Sequence, residues 1–115
     1  MIQIQKWHDS IRHLIMMSSG RATVQLEMYN RPMGEFDVTA EIYALWVNQE
    51  IRKQKFATAL LDKAEDIARR NGHKTVFLFW DKRITPHWVL DWYYRRGYEE
   101  IFFNEYRVGL IKKLI

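Results

Sequence analysis

Between Val47 and Thr58 the chain reads VNQEIRKQKFAT, which sets Arg52, Lys53 and Lys55 between an apolar run and an amphipathic one. A helix that starts just after a strand leaves backbone N–H groups unpaired and a partial positive charge at its end. A phosphate or pyrophosphate fits such an end without further machinery. Loops of this kind usually carry glycine, which lets a ligand approach the backbone closely. Here no glycine lies between Gly34 and Gly72. On these residues alone two readings stand: a phosphate site, or a strand–loop–helix unit that binds nothing. The other reactive side chains offer less. His8, His13, His73 and His87 form no metal-ligand spacing, so no metal is proposed. There is no cysteine, hence neither a thiolate nor a disulfide framework. His87, near a helix start, could assist a proton transfer but reads more simply as a surface histidine. Trp46, Trp80, Trp88 and Trp92 could line a cleft, although most read as core or interface.

The elements that must position these groups follow from periodicity. Trp7, Ile11, Leu14 and Ile15 recur at helical spacing, which predicts a short helix over residues 8–17, ended by Ser18, Ser19 and Gly20. ATVQLEMY alternates, with Val24, Leu26 and Met28 on one face, and predicts a strand with one wet face. NRPMGE supplies a turn, and FDVTAEIYALWV then predicts a long strand antiparallel to the first. On that strand, alternation sets Glu41, Tyr43, Leu45 and Val47 on one face. Phe56, Leu60, Leu61, Ala64, Ile67 and Ala68 form the apolar stripe of a helix over residues 56–71, closed by Asn71-Gly72. TVFLFW is uniformly apolar and predicts a strand buried on both faces. Thr85-Pro86 reads as an N-cap and first helical residue, and that helix stops at Gly97. YEEIFF and RVGLIKKLI predict two final strands with a tight turn near Asn104-Glu105, and residues 2–6 suit a short further strand. One α/β (α+β) domain follows, spanning residues 1–115, with helices packed on a mixed sheet.

Composition bounds the function. The 115 residues suffice for one modest core, and 48% apolar content excludes disorder. No apolar run approaches the roughly 20 residues needed to span a bilayer. The N-terminus MIQIQKWHDS lacks the pattern of a secretory signal, so a cytoplasmic protein is expected. A net charge of +4 suits an anionic ligand, though it serves solubility equally well. No groove-reading helix or base-stacking motif argues for nucleic acid.

Two segments together resemble the GCN5-related N-acetyltransferases. AEIYALWVNQEIRKQKFATALLDKAEDIARRNG is similar to that family's motif A, an apolar strand, an Arg/Gln loop with x-x-Gly-x-Gly/Ala, and a helix. Arg52 fills the first position and Ala57 the last, while Lys55 stands where the central glycine is expected. DWYYRRGYEEI is similar to the family's Leu-Tyr-x-x-x-Gly-Phe helix end, with Tyr93, Gly97 and Tyr98 in the matching places. The resemblance covers roughly residues 38–114. It departs at Lys55, at Pro86 where the family often has asparagine, and in the short segment before the central strands.

What the resemblance implies is an acyl-CoA N-acyltransferase fold, with a mixed, mostly antiparallel central sheet and helices on both faces. Acetyl-CoA would be the cosubstrate and a small or protein-borne amine the acceptor. The cofactor would lie along Leu45, Trp46 and Val47, and over the loop and helix start formed by Arg52, Lys53, Gln54, Lys55, Phe56, Ala57 and Thr58. Glu41 would be the general base, through a water, and Tyr93 the acid that protonates the departing thiolate. The short N-terminal region and the aromatics Phe102, Phe103 and Tyr106 raise a homodimer that completes the acceptor site. Lys55 keeps a second reading open, a non-catalytic binding module on the same fold with a weakened or lost CoA site.

Overall fold

The computed structural model describes residues 1–115, apart from the side chains of Lys53 and Gln54. The chain runs β1 (Ile2–Lys6), β2 (Ser10–Met17), β3 (Ala22–Met33), β4 (Val38–Val47), a 3-10 turn (Gln49–Gln54), α1 (Phe56–Arg70), β5 (Thr75–Asp81), α2 (His87–Arg95), β6 (Glu99–Phe103) and β7 (Arg107–Lys113). The seven strands form one sheet in the order β1-β2-β3-β4-β5-β7-β6. Every neighbouring pair is antiparallel except β4 and β5.

The segment expected to be a helix over residues 8–17 is strand β2. Its partners decide this: Ile15 lies opposite Val24 and Ile11 opposite Met28 on β3, while β1 pairs on its other side. Ile11, His13 and Ile15 thus share one face with period two. Leu14 and Met16 fall on the other, which is why the run of apolar residues imitates a helical stripe. β3 runs four residues past its expected end, to Met33, through most of the segment expected to turn, and the other elements stand within a residue or two of their expected places. α2 starts one residue late, because Pro86 keeps an extended conformation (ψ 152°) and His87 is the first helical residue.

The sheet is mixed and mostly antiparallel, as the fold class requires, but both helices lie on one face. Buried Leu60, Leu61 and Ala64 of α1 and Leu90 and Tyr93 of α2 belong to one cluster with Val24, Leu26, Ile42 and Leu78. The connections explain this. β4 to β5 and β5 to β6 each join parallel strands, and both advance in the same direction across the sheet. Right-handed crossovers running the same way place their helices on the same side. The opposite face carries Phe36, Phe77, Phe79 and Phe102, which stack on one another at ring separations of 4.8–6.4 Å. β5 is accordingly covered from both sides, as its apolar run implies. Among the described residues, no helix is long and apolar enough to cross a membrane.

Candidate functional site

The site begins where β4 and β5 part. These parallel neighbours share one bridge, Glu41 with Phe77, and β4 has no strand partner on that side beyond it. Among the described residues, backbone groups of residues 43–46 that face the gap are therefore free to pair with an extended ligand, while the Val47 carbonyl is held by Arg52. A bulge helps to open the gap. Gln25 pairs with Tyr43 and Thr23 with Trp46, so Ala44 and Leu45 together stand opposite Val24. Ala44 takes a left-handed conformation (φ 54°), which an alanine adopts only at a cost and which kinks the strand. The extra residue also breaks the expected alternation. Glu41, Tyr43 and Trp46 lie on the face away from the helices, whereas Leu45 and Val47 turn toward the core beside Ile42. The expectation that Glu41, Tyr43, Leu45 and Val47 share a face is corrected by that one inserted residue.

The gap is a cleft of about 600 Å³, walled by β4 and β5 and closed at one end by the starts of α1 and α2. Leu45, Trp46, Val47, Arg52, Lys55, Ala57 and Thr58 all line it. Phe56 does not; its side chain packs against the core. Lys53 and Gln54, also expected at the cofactor, fall outside the described side chains. Lys55 ends the 3-10 turn and precedes α1 with φ 62° and ψ 25°. That is the left-handed region which a glycine would enter freely, so the chain keeps the glycine's backbone conformation without the glycine. No side chain caps α1. The first intrahelical bond near this end runs from Ala59 N–H to Lys55 C=O at 3.2 Å, so the preceding N–H groups point into the cleft mouth. Arg52 Nε donates to Val47 C=O at 3.2 Å, fixing a guanidinium at that mouth.

Tyr93 lies in the opposite wall. Burial pushes its hydroxyl up to about 12, and no side-chain hydrogen bond engages it among the described residues. Its ring stacks against Trp92 and Tyr98 at 5.3 and 5.6 Å. Tyr98 anchors this corner. Its hydroxyl donates to Glu65 of α1 at 2.8 Å, and Glu65 also accepts from Lys112 Nζ at 2.9 Å and from Arg96 at 3.4 Å. A buried carboxylate is tolerated only with such partners. Burial and the Glu65 charge both raise the Tyr98 hydroxyl far above the ordinary phenol range. The network ties the end of α2 to α1 and thereby sets where Tyr93 points. Sequence reasoning missed Glu65, whose place among the stripe residues 61, 64 and 68 was the available signal.

Glu41 sits at the vertex where β4 and β5 still pair, not in the cleft lining. It is half-buried, and burial first, then the neighbouring Glu27, raises its carboxyl above the ordinary range. Of the four tryptophans considered for a cleft, Trp46, Trp88 and Trp92 line it. Trp80 is a core residue whose Nε1 donates to Pro86 C=O at 3.1 Å and fixes the start of α2. His87 is exposed and lies 3.8 Å from Asp91, outside the cleft lining. On the far wall Asp81 also lines the cleft; hydrogen bonds from Arg83 lower its carboxyl to about 2. Phe102 is packed between Phe36 and Phe79, while Phe103 and Tyr106 remain exposed.

A split pair of parallel strands, a left-handed turn and an uncapped helix start meet at this one cleft. The chain belongs to the GNAT acetyltransferase family: the family's model matches residues 22–98. Solved structures agree on the fold. An acetyltransferase from Bacillus cereus superposes with a TM-score of 0.68 at 20% identity, covering 91% of this chain and 73% of its own. The PaiA N-acetyltransferase from Thermoplasma acidophilum, solved in complex with coenzyme A, gives 0.67 at 18% identity, covering 91% and 61%. A nourseothricin acetyltransferase gives 0.67 at 15%, covering 94% and 67%. No curated protein matches the chain.

Proposed function

We propose that the protein transfers an acetyl group from acetyl-CoA to a primary amine. The observation that carries this reading is the cleft itself, with unpartnered β4 backbone along one side, the start of α1 at its mouth and Tyr93 in the facing wall. The cleft suits acetyl-CoA on its own geometry. Leu45 and Trp46 offer an open strand edge to an extended amide-bearing arm. The N–H groups at the start of α1, with Arg52 and Lys55, offer donors and positive charge to a pyrophosphate. The coenzyme A bound in the Thermoplasma relative is consistent with this use of the fold.

When bound, acetyl-CoA supplies an activated thioester whose acyl carbon accepts the amine with loss of the thiol. The protein must then move two protons. Glu41 takes one from the incoming ammonium group. Its place outside the cleft lining calls for an intervening water, and its raised pKa makes it the stronger base. Tyr93 gives one to the departing sulfur. Its hydroxyl, held protonated by burial, carries the proton at neutral pH. Starting from an ammonium, the nitrogen loses two protons on becoming the amide: Glu41 passes the first to solvent, and the second offsets the one that Tyr93 gives to the sulfur, so one proton is released per turnover.

The test is calorimetric titration of acetyl-CoA followed by thiol-release assays over a panel of amines. Micromolar binding with turnover supports the reading. Binding without turnover on any amine favours a non-catalytic module, and no binding overturns both uses of the cleft. In an active preparation, Tyr93→Phe should lower kcat roughly 100-fold or more with little change in KM. Wild-type kcat in that variant would remove Tyr93 from the mechanism.

A further inference from the structure

On the sheet face away from the helices, one cross-strand row reads Gln5, Arg12, Glu27, Glu41 and Phe77. Two carboxylates thus stand directly opposite each other on neighbouring strands, an arrangement that costs stability. Their surroundings differ sharply. Glu27 is fully held: Ser10 Oγ donates to Oε2 and Tyr43 Oη to Oε1, both at 2.8 Å. Arg12 lies on its other flank. Glu41 receives no side-chain hydrogen bond among the described residues and occupies the vertex of the cleft. One carboxylate is held by two hydroxyl donors, and the other is left without a side-chain hydrogen bond beside it among the described residues.

We propose that Glu27 is a positioning residue for the transfer: a carboxylate clamped by Ser10 and Tyr43, whose field holds the Glu41 carboxylate in its proton-accepting role. The proposal rests on the reading of Glu41 as the base. The groups that face Glu41 are few. β3 brings Glu27 and Tyr29, its own strand brings Tyr43, β2 brings Arg12 beyond Glu27, and β5 presents only the ring of Phe77. Glu27 is the one negative charge among them. Burial and the Glu27 charge act on Glu41 in the same direction, so Glu41 accepts a proton more readily than an isolated glutamate. Tyr29 feels both carboxylates too: burial first, then Glu27 and Glu41, push its hydroxyl up to about 12.

The test is a carbon-13 NMR titration of the glutamate carboxyls in the full chain, with Glu41 assigned by the signal lost in Glu41→Gln. In Glu27→Gln, which keeps shape and removes charge, the Glu41 midpoint should fall by about one pH unit. In Arg12→Gln, which removes the positive charge that stands cross-strand from Glu27, the midpoint should rise. Opposite shifts separate an electrostatic role from a structural one, because loosening the sheet would admit water and lower the midpoint in both variants. An unmoved midpoint in Glu27→Gln, or a fall in both variants, overturns the proposal. If Glu27→Gln does not fold, the sign of the Arg12→Gln shift decides alone. The acid limb of the activity profile separates the two readings. A midpoint that moves while the limb stays put upholds the tuning and removes Glu41 as the base.

Discussion

Replacing Lys55 by glycine should strengthen this protein rather than weaken it. The residue is held at φ 62° and ψ 25°, between the 3-10 turn and α1, and its side chain makes no cap for the helix. An L-residue in that conformation costs roughly 1–2 kcal/mol relative to its preferred region. Glycine removes that cost but gives the unfolded chain more freedom, worth about 0.4–1 kcal/mol in the opposite direction. The net gain is about 0.5–1 kcal/mol, or a Tm rise of roughly 2–6 °C for a domain of this size. Lys55→Ala isolates the backbone contribution, because it removes the lysine chain yet keeps the Cβ. The assay is urea unfolding of the three proteins side by side, with Lys55→Gly expected above Lys55→Ala by that amount. Acetyl-CoA titration should show that the glycine variant still binds, since the N–H groups of α1 are unchanged. A glycine variant less stable than the alanine variant would refute the reasoning. It would mean that Lys55 is not strained in solution and that the loop takes another shape.

Other outcomes follow from the same geometry. Tyr98→Phe removes a hydroxyl from buried Glu65, which keeps only Lys112 and Arg96; a hydrogen bond to a charged group of this kind is worth about 1.5–3 kcal/mol. Urea unfolding should show that loss, while Tyr94→Phe, on the exposed side of α2, should stay within about 0.5 kcal/mol. Glu41→Gln should stabilise the fold at pH 7 and not at pH 4. The folded-state pKa of Glu41 lies above its unfolded value, so the folded protein holds that proton more tightly. Stability therefore falls as pH rises from the unfolded pKa through the raised one, and the neutral glutamine escapes this loss. Thermal melts at the two pH values check the sign.

Much of the candidate site's structural frame was legible because it depends on local rules. The helix stripe from Phe56 to Ala68, the strand before it and the glycine after it are short-range patterns, and each reappears in the fold. Tyr93 at the end of α2 was likewise readable, because one motif carries both its helix and Gly97. Residues 10–17 were not legible. Their helical spacing is real, but pairing with β1 on one side and β3 on the other satisfies every backbone group as a strand, and no local signal reveals those partners.

The chain's own order of residues thus determined the family, the strand–loop–helix frame and the side chains available at its mouth. Only the folded structure decided which of them meet. It inserted a bulge at Ala44 that turned Leu45 away from Glu41, sent Trp80 into the core and placed both helices on one face. It also set Glu27 beside Glu41 across 14 positions of sequence, numbers 27 and 41. The physical reason is range. Propensity and periodicity act over a few residues, whereas a bulge, a register and a pair of facing carboxylates exist only once distant strands have paired.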